Sequence, residues 1–189
     1  MLSAEFLKRH FEQGLSFARY VEKGTADQIG RWGSVHERVR LTEAQRALVR
    51  GFTREVKVLA TSGIWCGDCS AQCPMLARIA DENAKIDLRF VDRDEHIELS
   101  ERVKINQGLR VPTVIFMAED FEFVGMLGDR TLSRYRAVAA KQLGAACPLP
   151  GAPMPEDEIA ATLQDWVDEF ERVELLLRLS PRLRQRHGD

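Results

Sequence analysis

Apolar positions recur at helical spacing near the start of the chain. Leu7, Phe11, Leu15 and Ala18 share one face of a helix predicted over Ala4 to Lys23, with Gly24 as its stop. Residues 25–41 carry no such period. With Gly30 and Gly33 around Trp32, they read as a loop with room for one short helix. Thr42-Glu43-Ala44-Gln45 is a capping-box pattern and opens a helix to about Phe52. The period then changes. Val56–Thr61 is a β-branched apolar run of strand length, expected to be buried on both faces. Ser70 to Ala80 reads as a helix, and Ile86–Val91 alternates as a strand that Asp92-Arg93-Asp94 ends. Glu95–Val103 is a predicted short helix and Asn106-Gln107-Gly108 a turn. Thr113–Met117 and Phe121–Leu127 pair as a predicted hairpin around Glu119-Asp120. Gly128-Asp129 ends it, and Thr131 caps a helix to about Leu143.

Ala145 to Pro155 holds Pro148, Pro150, Pro153 and Pro155 with Gly151, the composition of a stiff connector. A last helix is predicted from about Glu156 to Leu179. Its apolar residues Ile159, Leu163, Trp166, Phe170, Val173 and Leu177 form a heptad seam. The seam is too short for a free coiled coil, so it is expected to dock on the rest of the chain. Beyond Leu179 the arginine-rich tail (Arg182, Arg184, Arg186) is expected to fray. The chain divides into an N-terminal helical extension (1–41), an α/β domain (42–143), and a connector, helix and basic tail (144–189).

Length and composition narrow the possibilities. The chain has 189 residues, enough for one good-sized core with appendages, and 44% hydrophobic with 30% charged residues is ordinary for a globular protein. A net charge of −2 favours neither nucleic acid nor a membrane surface as partner. The charged, amphipathic start has no signal-peptide core, no apolar run reaches membrane-spanning length, and no internal repeat occurs, so a cytoplasmic protein is expected. In that setting four cysteines suggest redox or metal chemistry more than a disulfide scaffold.

The cysteines focus on Trp65-Cys66-Gly67-Asp68-Cys69, which follows a predicted strand and opens a predicted helix. That placement puts Cys66 at a helix N-terminus, where unpaired N–H groups and the helix dipole favour an anion. The thiolate is the nucleophile in disulfide exchange, so the position makes Cys66 reactive. Cys69 lies one turn further in and could attack a mixed disulfide formed at Cys66. Zinc sites share the same spacing, so the pair alone leaves both chemistries open. A second feature is Val111-Pro112-Thr113 before the apolar run Val114–Met117: a proline at the mouth of a strand cannot join the ladder, and a cis-proline turn would account for it.

Together with Pro74, five residues after Cys69, and with Gly128, these motifs resemble the thioredoxin superfamily over roughly residues 42–142. The resemblance implies a thioredoxin-like fold, a central mixed sheet flanked by helices, and thiol–disulfide oxidoreductase activity with Cys66 attacking and Cys69 resolving. It implies that Pro112 faces the thiols and leaves the backbone of Val111 free for a substrate strand, with Thr113 beside it. It also implies an exposed Trp65 beside the nucleophile and a Gly128 that lets substrate approach. The plain alternatives are a loop proline, a core tryptophan and a glycine that only ends its strand. Protein disulfides would be the substrates, and the electron donor a reductase or a small thiol.

The chain departs from the family pattern twice. Asp68 replaces a common proline. Its carboxylate opposes the helix terminus, so a modestly lowered Cys66 pKa and a reducing couple are expected. Ala60 stands where family members often carry a buried acid, so Cys69 must lose its proton to water, Asp68 or another group. Cys73, one turn after Cys69, reads as a packed thiol or as a third redox or ligating cysteine, and Cys147 as a lone thiol. The rival reading is a module that binds a metal or cluster through Cys66, Cys69 and Cys73, or that binds partners without turnover. His10, His36, His96 and His187 are scattered away from the cysteines, and Asp92 with Asp94 reads as a solvated turn. No phosphate loop or dinucleotide fingerprint occurs, so no bound cofactor is expected.

Overall fold

The computed structural model describes residues 2–143 and 157–189. Among these, a four-stranded mixed sheet runs in the order β2-β1-β3-β4. β1 (Val56–Ser62) and β2 (Ile86–Asp92) are parallel and joined by α5 (Gly67–Ala80). β3 (Thr113–Ala118) runs antiparallel to β1, and β4 (Phe123–Gly128) antiparallel to β3. β1 and β3 lie mid-sheet with both faces covered. Every residue of β3 is buried, and every residue of β1 but Lys57, which is why both read as largely apolar runs without alternation. β4 begins two residues later than its pattern predicts. Phe121 sits in the hairpin turn at φ 66°, its ring against Phe11 at 5.5 Å.

The expected helix over Ala4 to Lys23 is two helices, α1 (Ala4–Gln13) and α2 (Phe17–Val21). Between them Leu15 leaves the helix to pair with β2: its N–H donates to the Phe90 carbonyl at 2.9 Å, and its carbonyl accepts from the Phe90 N–H at 2.8 Å. A side chain on Gly14 would start 2.6 Å from Cβ of Arg89, so only glycine lets the chain pass here. The pairing covers a stretch of sheet edge that would otherwise present open backbone groups.

The expected loop at 25–41 is instead α3 (Ala26–Arg38), opened by a reciprocal capping box between Thr25 and Gln28. Two glycines inside a helix cost about 1 kcal/mol each relative to alanine. The complete burial of Trp32 offsets that cost; its indole N–H donates to the Ile64 carbonyl at 3.0 Å. α4 (Glu43–Arg50) carries the predicted capping box between Thr42 and Gln45. After β2 come α6 (Ile97–Arg102) and, beyond the β3–β4 hairpin, α7 (Leu132–Leu143), whose Thr131 hydroxyl accepts the Arg134 N–H.

The seam of α8 (Glu158–Leu179) docks on the domain as expected. Leu163, Trp166, Phe170, Val173 and Leu177 are buried, with Phe170 edge-on to Phe116 of β3 at 5.2 Å. Glu174 accepts the backbone N–H groups of Thr53 and Arg54, which ties α8 to the start of β1. The tail does not fray. Pro181 opens a final helix, α9 (Pro181–His187), that buries Leu183. Its Arg182, Arg186 and His187 pair with Glu119 and Asp120 of the β3–β4 turn. The predicted proline-rich connector and Cys147 lie outside the described residues.

Two apolar layers sandwich the sheet. One packs α2, α3, α5 and α8 residues, Tyr20, Trp32, Cys69, Cys73 and Trp166 among them, onto one face of β1 and β3. The other packs Phe6, Leu7 and Phe11 of α1 with Leu99 of α6 onto Leu59 and Ile115. Among the described residues no helix is long and apolar enough to cross a membrane.

Candidate active site

Strand β1 delivers the chain to the N-terminus of α5, and Cys66 is the residue that caps it. Its backbone is extended (φ −77°, ψ 128°) and its sulfur accepts the Cys69 N–H at 3.4 Å. Ser, Thr, Asp and Asn usually fill such positions; here a sulfur does so. Cys66 is half-buried, while Cys69, one turn inward, has no exposure. The Cys66 thiol lies 3.6 Å from the Val111 carbonyl, so the turn before β3 meets the helix end. The Val111–Pro112 peptide is cis, and both residues are buried.

The other residues singled out in the sequence take varied places around this pair. Trp65 is 46% exposed, with the Arg93 guanidinium over its ring at 4.7 Å. Gly67 is exposed as the first helical residue. Thr113 is fully buried. Its hydroxyl donates to the Arg110 carbonyl at 2.8 Å, and its carbonyl accepts from Thr61, so it holds the turn rather than facing the thiols. A Cβ on Gly128 would sit 2.6 Å from the Pro112 carbonyl oxygen. Gly128 thus lets β4 close against the Pro112 turn.

Asp68 does not face the thiols as a free carboxylate. Arg130 grips one of its oxygens and Arg134 the other, the latter at 3.1 Å, and Arg134 also pairs with Glu158 of α8. The ion pairs fasten the start of α5 to the start of α7. The residues completing this support carried no sequence signal strong enough to single them out. Gln72 is wholly buried; its amide donates to the Asp129 carbonyl at 2.9 Å and accepts the Thr131 N–H. Asp129 is 3% exposed and takes Arg110, Arg130 and the Tyr135 hydroxyl. A glutamine on the inward side of an otherwise apolar helix was the one available hint.

The expected modest lowering of the Cys66 pKa does not hold. The hydrogen bond with the Cys69 thiol, then burial, hold Cys66 well above the ordinary cysteine range, against the backbone N–H groups of Cys69 and Asp68 that favour the anion. Burial pushes Cys69 up as well. Two thiols this close lose their protons in successive steps that belong to the pair. Behind them Ala60 offers no acid, and the buried Cys73 sulfur lies 3.7 Å from the Ser62 hydroxyl. Among the described residues no group of three or more His, Cys, Asp or Glu side chains is placed to hold a metal ion.

A thioredoxin family model matches residues 14–141. The chain belongs to the thioredoxin family. Similar solved structures include a Pseudomonas aeruginosa protein of unknown function, 19% identical, which covers 92% of this chain and 97% of its own with a TM-score of 0.71. An HIV epitope-scaffold is 22% identical, covers 87% of this chain and 90% of its own, and has a TM-score of 0.60. Fasciola hepatica thioredoxin is 20% identical and covers 50% of this chain and 88% of its own, at a TM-score of 0.36. No curated protein matches the chain. The family match begins at residue 14, so it takes in α2 and α3, which hold Tyr20 and Trp32 in the same core as the two cysteines.

Proposed function

We propose that this protein is a thiol–disulfide oxidoreductase that reduces protein disulfides through Cys66 and Cys69. One observation carries the reading: the half-buried Cys66 sulfur caps α5, takes the Cys69 N–H and faces the Val111 carbonyl, while the second thiol waits one turn behind it. In this scheme the Cys66 thiolate attacks a substrate disulfide and one substrate sulfur leaves as a thiol. Cys69 then attacks Cys66 in the mixed disulfide. The Cys66–Cys69 bond forms, the second substrate thiol departs with the proton, and the dithiol has given up two electrons. The backbone of Val111, the Pro112 turn and exposed Trp65 form the substrate-docking edge.

The raised Cys66 pKa supports a reductant rather than an oxidant, because an unstabilised thiolate makes the dithiol a stronger electron donor. The electrons come from a separate reductase or a small thiol, in the reducing setting of the cytoplasm.

The test is trapping. Cys69→Ser should attack but not resolve, so mixed disulfides accumulate and name the substrates, whereas Cys66→Ser should trap little. Equal trapping by both variants would undo the assignment of roles. Trapping by neither, with no reduction of a model disulfide by the parent, would leave a partner-binding module without turnover.

A further inference from the structure

The two sides of the proposed docking edge come from distant parts of the chain. Trp65 stands just before α5, and Val111 just before β3. Arg93, the first residue past β2, reaches towards both. Its backbone is fixed at each end: the N–H donates to the Ser62 carbonyl at 2.8 Å, and the carbonyl accepts the Ser100 hydroxyl at 2.9 Å. From that base the side chain gives every guanidinium nitrogen a partner. Nε and Nη2 donate to the two oxygens of Asp94 at 2.8 and 3.1 Å, and Nη1 donates to the Leu109 carbonyl at 3.4 Å, two residues before Val111. The same group lies over the Trp65 ring, 4.7 Å from its centre. The indole is folded back on its own chain, where a side chain on Gly63 would start 2.7 Å from it. Trp65 is thus held from two directions and still 46% exposed. A planar guanidinium can lie on a ring and donate sideways at once, whereas an ammonium on a flexible stem cannot.

We propose that Arg93 is a positioning residue that sets the spacing between Trp65 and the turn at 109–111, so that the docking edge is ready-formed for a protein disulfide. The inference rests on the Cys66–Cys69 reading above and says how its substrate is held. Arg93 touches no reacting atom; it acts through the indole and through the Leu109 carbonyl. The Val111 carbonyl already lies 3.6 Å from the Cys66 sulfur. A substrate chain laid along that turn brings its disulfide to the thiol and its flanking residues to the indole. Fixing both sides beforehand removes ordering that docking would otherwise have to impose, so the benefit falls on binding. A small disulfide reaches Cys66 without spanning the edge and gains nothing from it. Asp94 balances the guanidinium charge, so Arg93 works by shape rather than by attracting acidic chains.

The test uses the full chain with dithiothreitol as the electron source and two oxidants, insulin and a small aromatic disulfide whose thiolate is coloured. Arg93→Gln should raise KM for insulin roughly three- to ten-fold while kcat stays within about two-fold. Reduction of the aromatic disulfide should match the parent. Arg93→Lys keeps the charge without the planar fork and should behave as Arg93→Gln. Of the three tryptophans, Trp32 and Trp166 are fully buried, so acrylamide quenching of the fluorescence reads Trp65. Quenching should rise in both variants. An unmoved KM for insulin, or unmoved quenching, overturns the proposal. So does full recovery in Arg93→Lys, which marks attraction by charge, and so does an equal loss on both disulfides, which marks distortion at the thiols. A parent that reduces neither disulfide overturns the dithiol reading itself, and the role of Arg93 with it.

Discussion

The backbone N–H of Cys69 points at the sulfur of Cys66 from 3.4 Å, while the Cys69 thiol, hydrogen-bonded to that same sulfur, pushes its pKa up. The helix end and the neighbouring thiol pull in opposite directions, and the thiol prevails. Replacing Cys69 by Ala removes the second influence and keeps the first. Cys66 should then be alkylated by iodoacetamide faster at neutral pH than in the reduced parent, with its pH midpoint shifted down. A rate profile matching the parent's would mean that burial alone holds the thiol up.

Asp68 is a strut. Its carboxylate is only 16% exposed and shared by Arg130 and Arg134, which are themselves 20% and 22% exposed in their side chains. Asp68→Asn keeps the shape and removes the charge, leaving two largely buried guanidinium groups short of a partner. A loss of about 1–3 kcal/mol in chemical unfolding is expected. A neutral result would mean that Glu158 and Asp129 take up both arginines.

The pairing of His10 with His96 makes stability depend on pH. Their Nδ1 atoms are 3.0 Å apart, so one ring donates and the other accepts, and two protonated rings cannot share the contact. Burial, the largest cause in each, lowers both pKa values from 6.5, with Arg9 and Arg102 opposing charge on His10 and Lys23 on His96, while Glu98 favours it on the first and Glu95 and Asp92 on the second. The unfolded chain therefore binds protons more readily. The pair's contribution is present above pH 6.5 and is lost as pH falls from there through the lower folded-state values. Denaturation midpoints should drop over that window, and His10→Gln should flatten the drop.

Trp166 is fully buried in the α8 seam. Trp166→Ala should cost about 3–5 kcal/mol, read from denaturant unfolding. A variant that unfolds like the parent would show that the seam contributes little to the core.

At the C-terminus two kinds of contact hold α9, and their magnitudes differ. Leu183 is 1% exposed, whereas the ion pairs of Arg186 with Glu119 and Asp120 are surface pairs. Exposed pairs contribute little and are screened by salt. Leu183→Ala should lower the melting temperature clearly, and Arg186→Ala should leave it nearly unchanged at physiological salt. The reverse order would make the arginines the anchor.

Local chemistry was legible in the chain wherever its cause lies within a few residues. The capping box at Thr42, the apolar runs of β1 and β3, the α8 seam and the cysteine pair at a helix start can all be read in order. The helix α3 was missed: its capping box at Thr25 went unread beside the two glycines around Trp32, and the benefit of burying that indole against Ile64 appears only once the chain is folded. The break at Gly14 depends on the edge of β2, and the ordering of α9 on an acidic turn and a core position far away in sequence. The sequence therefore determined which thiols stand at the helix end. Tertiary structure alone decided what surrounds them: Asp68 bound by arginines from beyond β4, the Val111 carbonyl beside Cys66, and the Ser62 hydroxyl against Cys73 one turn further along the helix. Periodicity and capping act within a few turns of chain, whereas the charge, burial and hydrogen bonding that set a thiol's reactivity are sums over neighbours that only folding brings together.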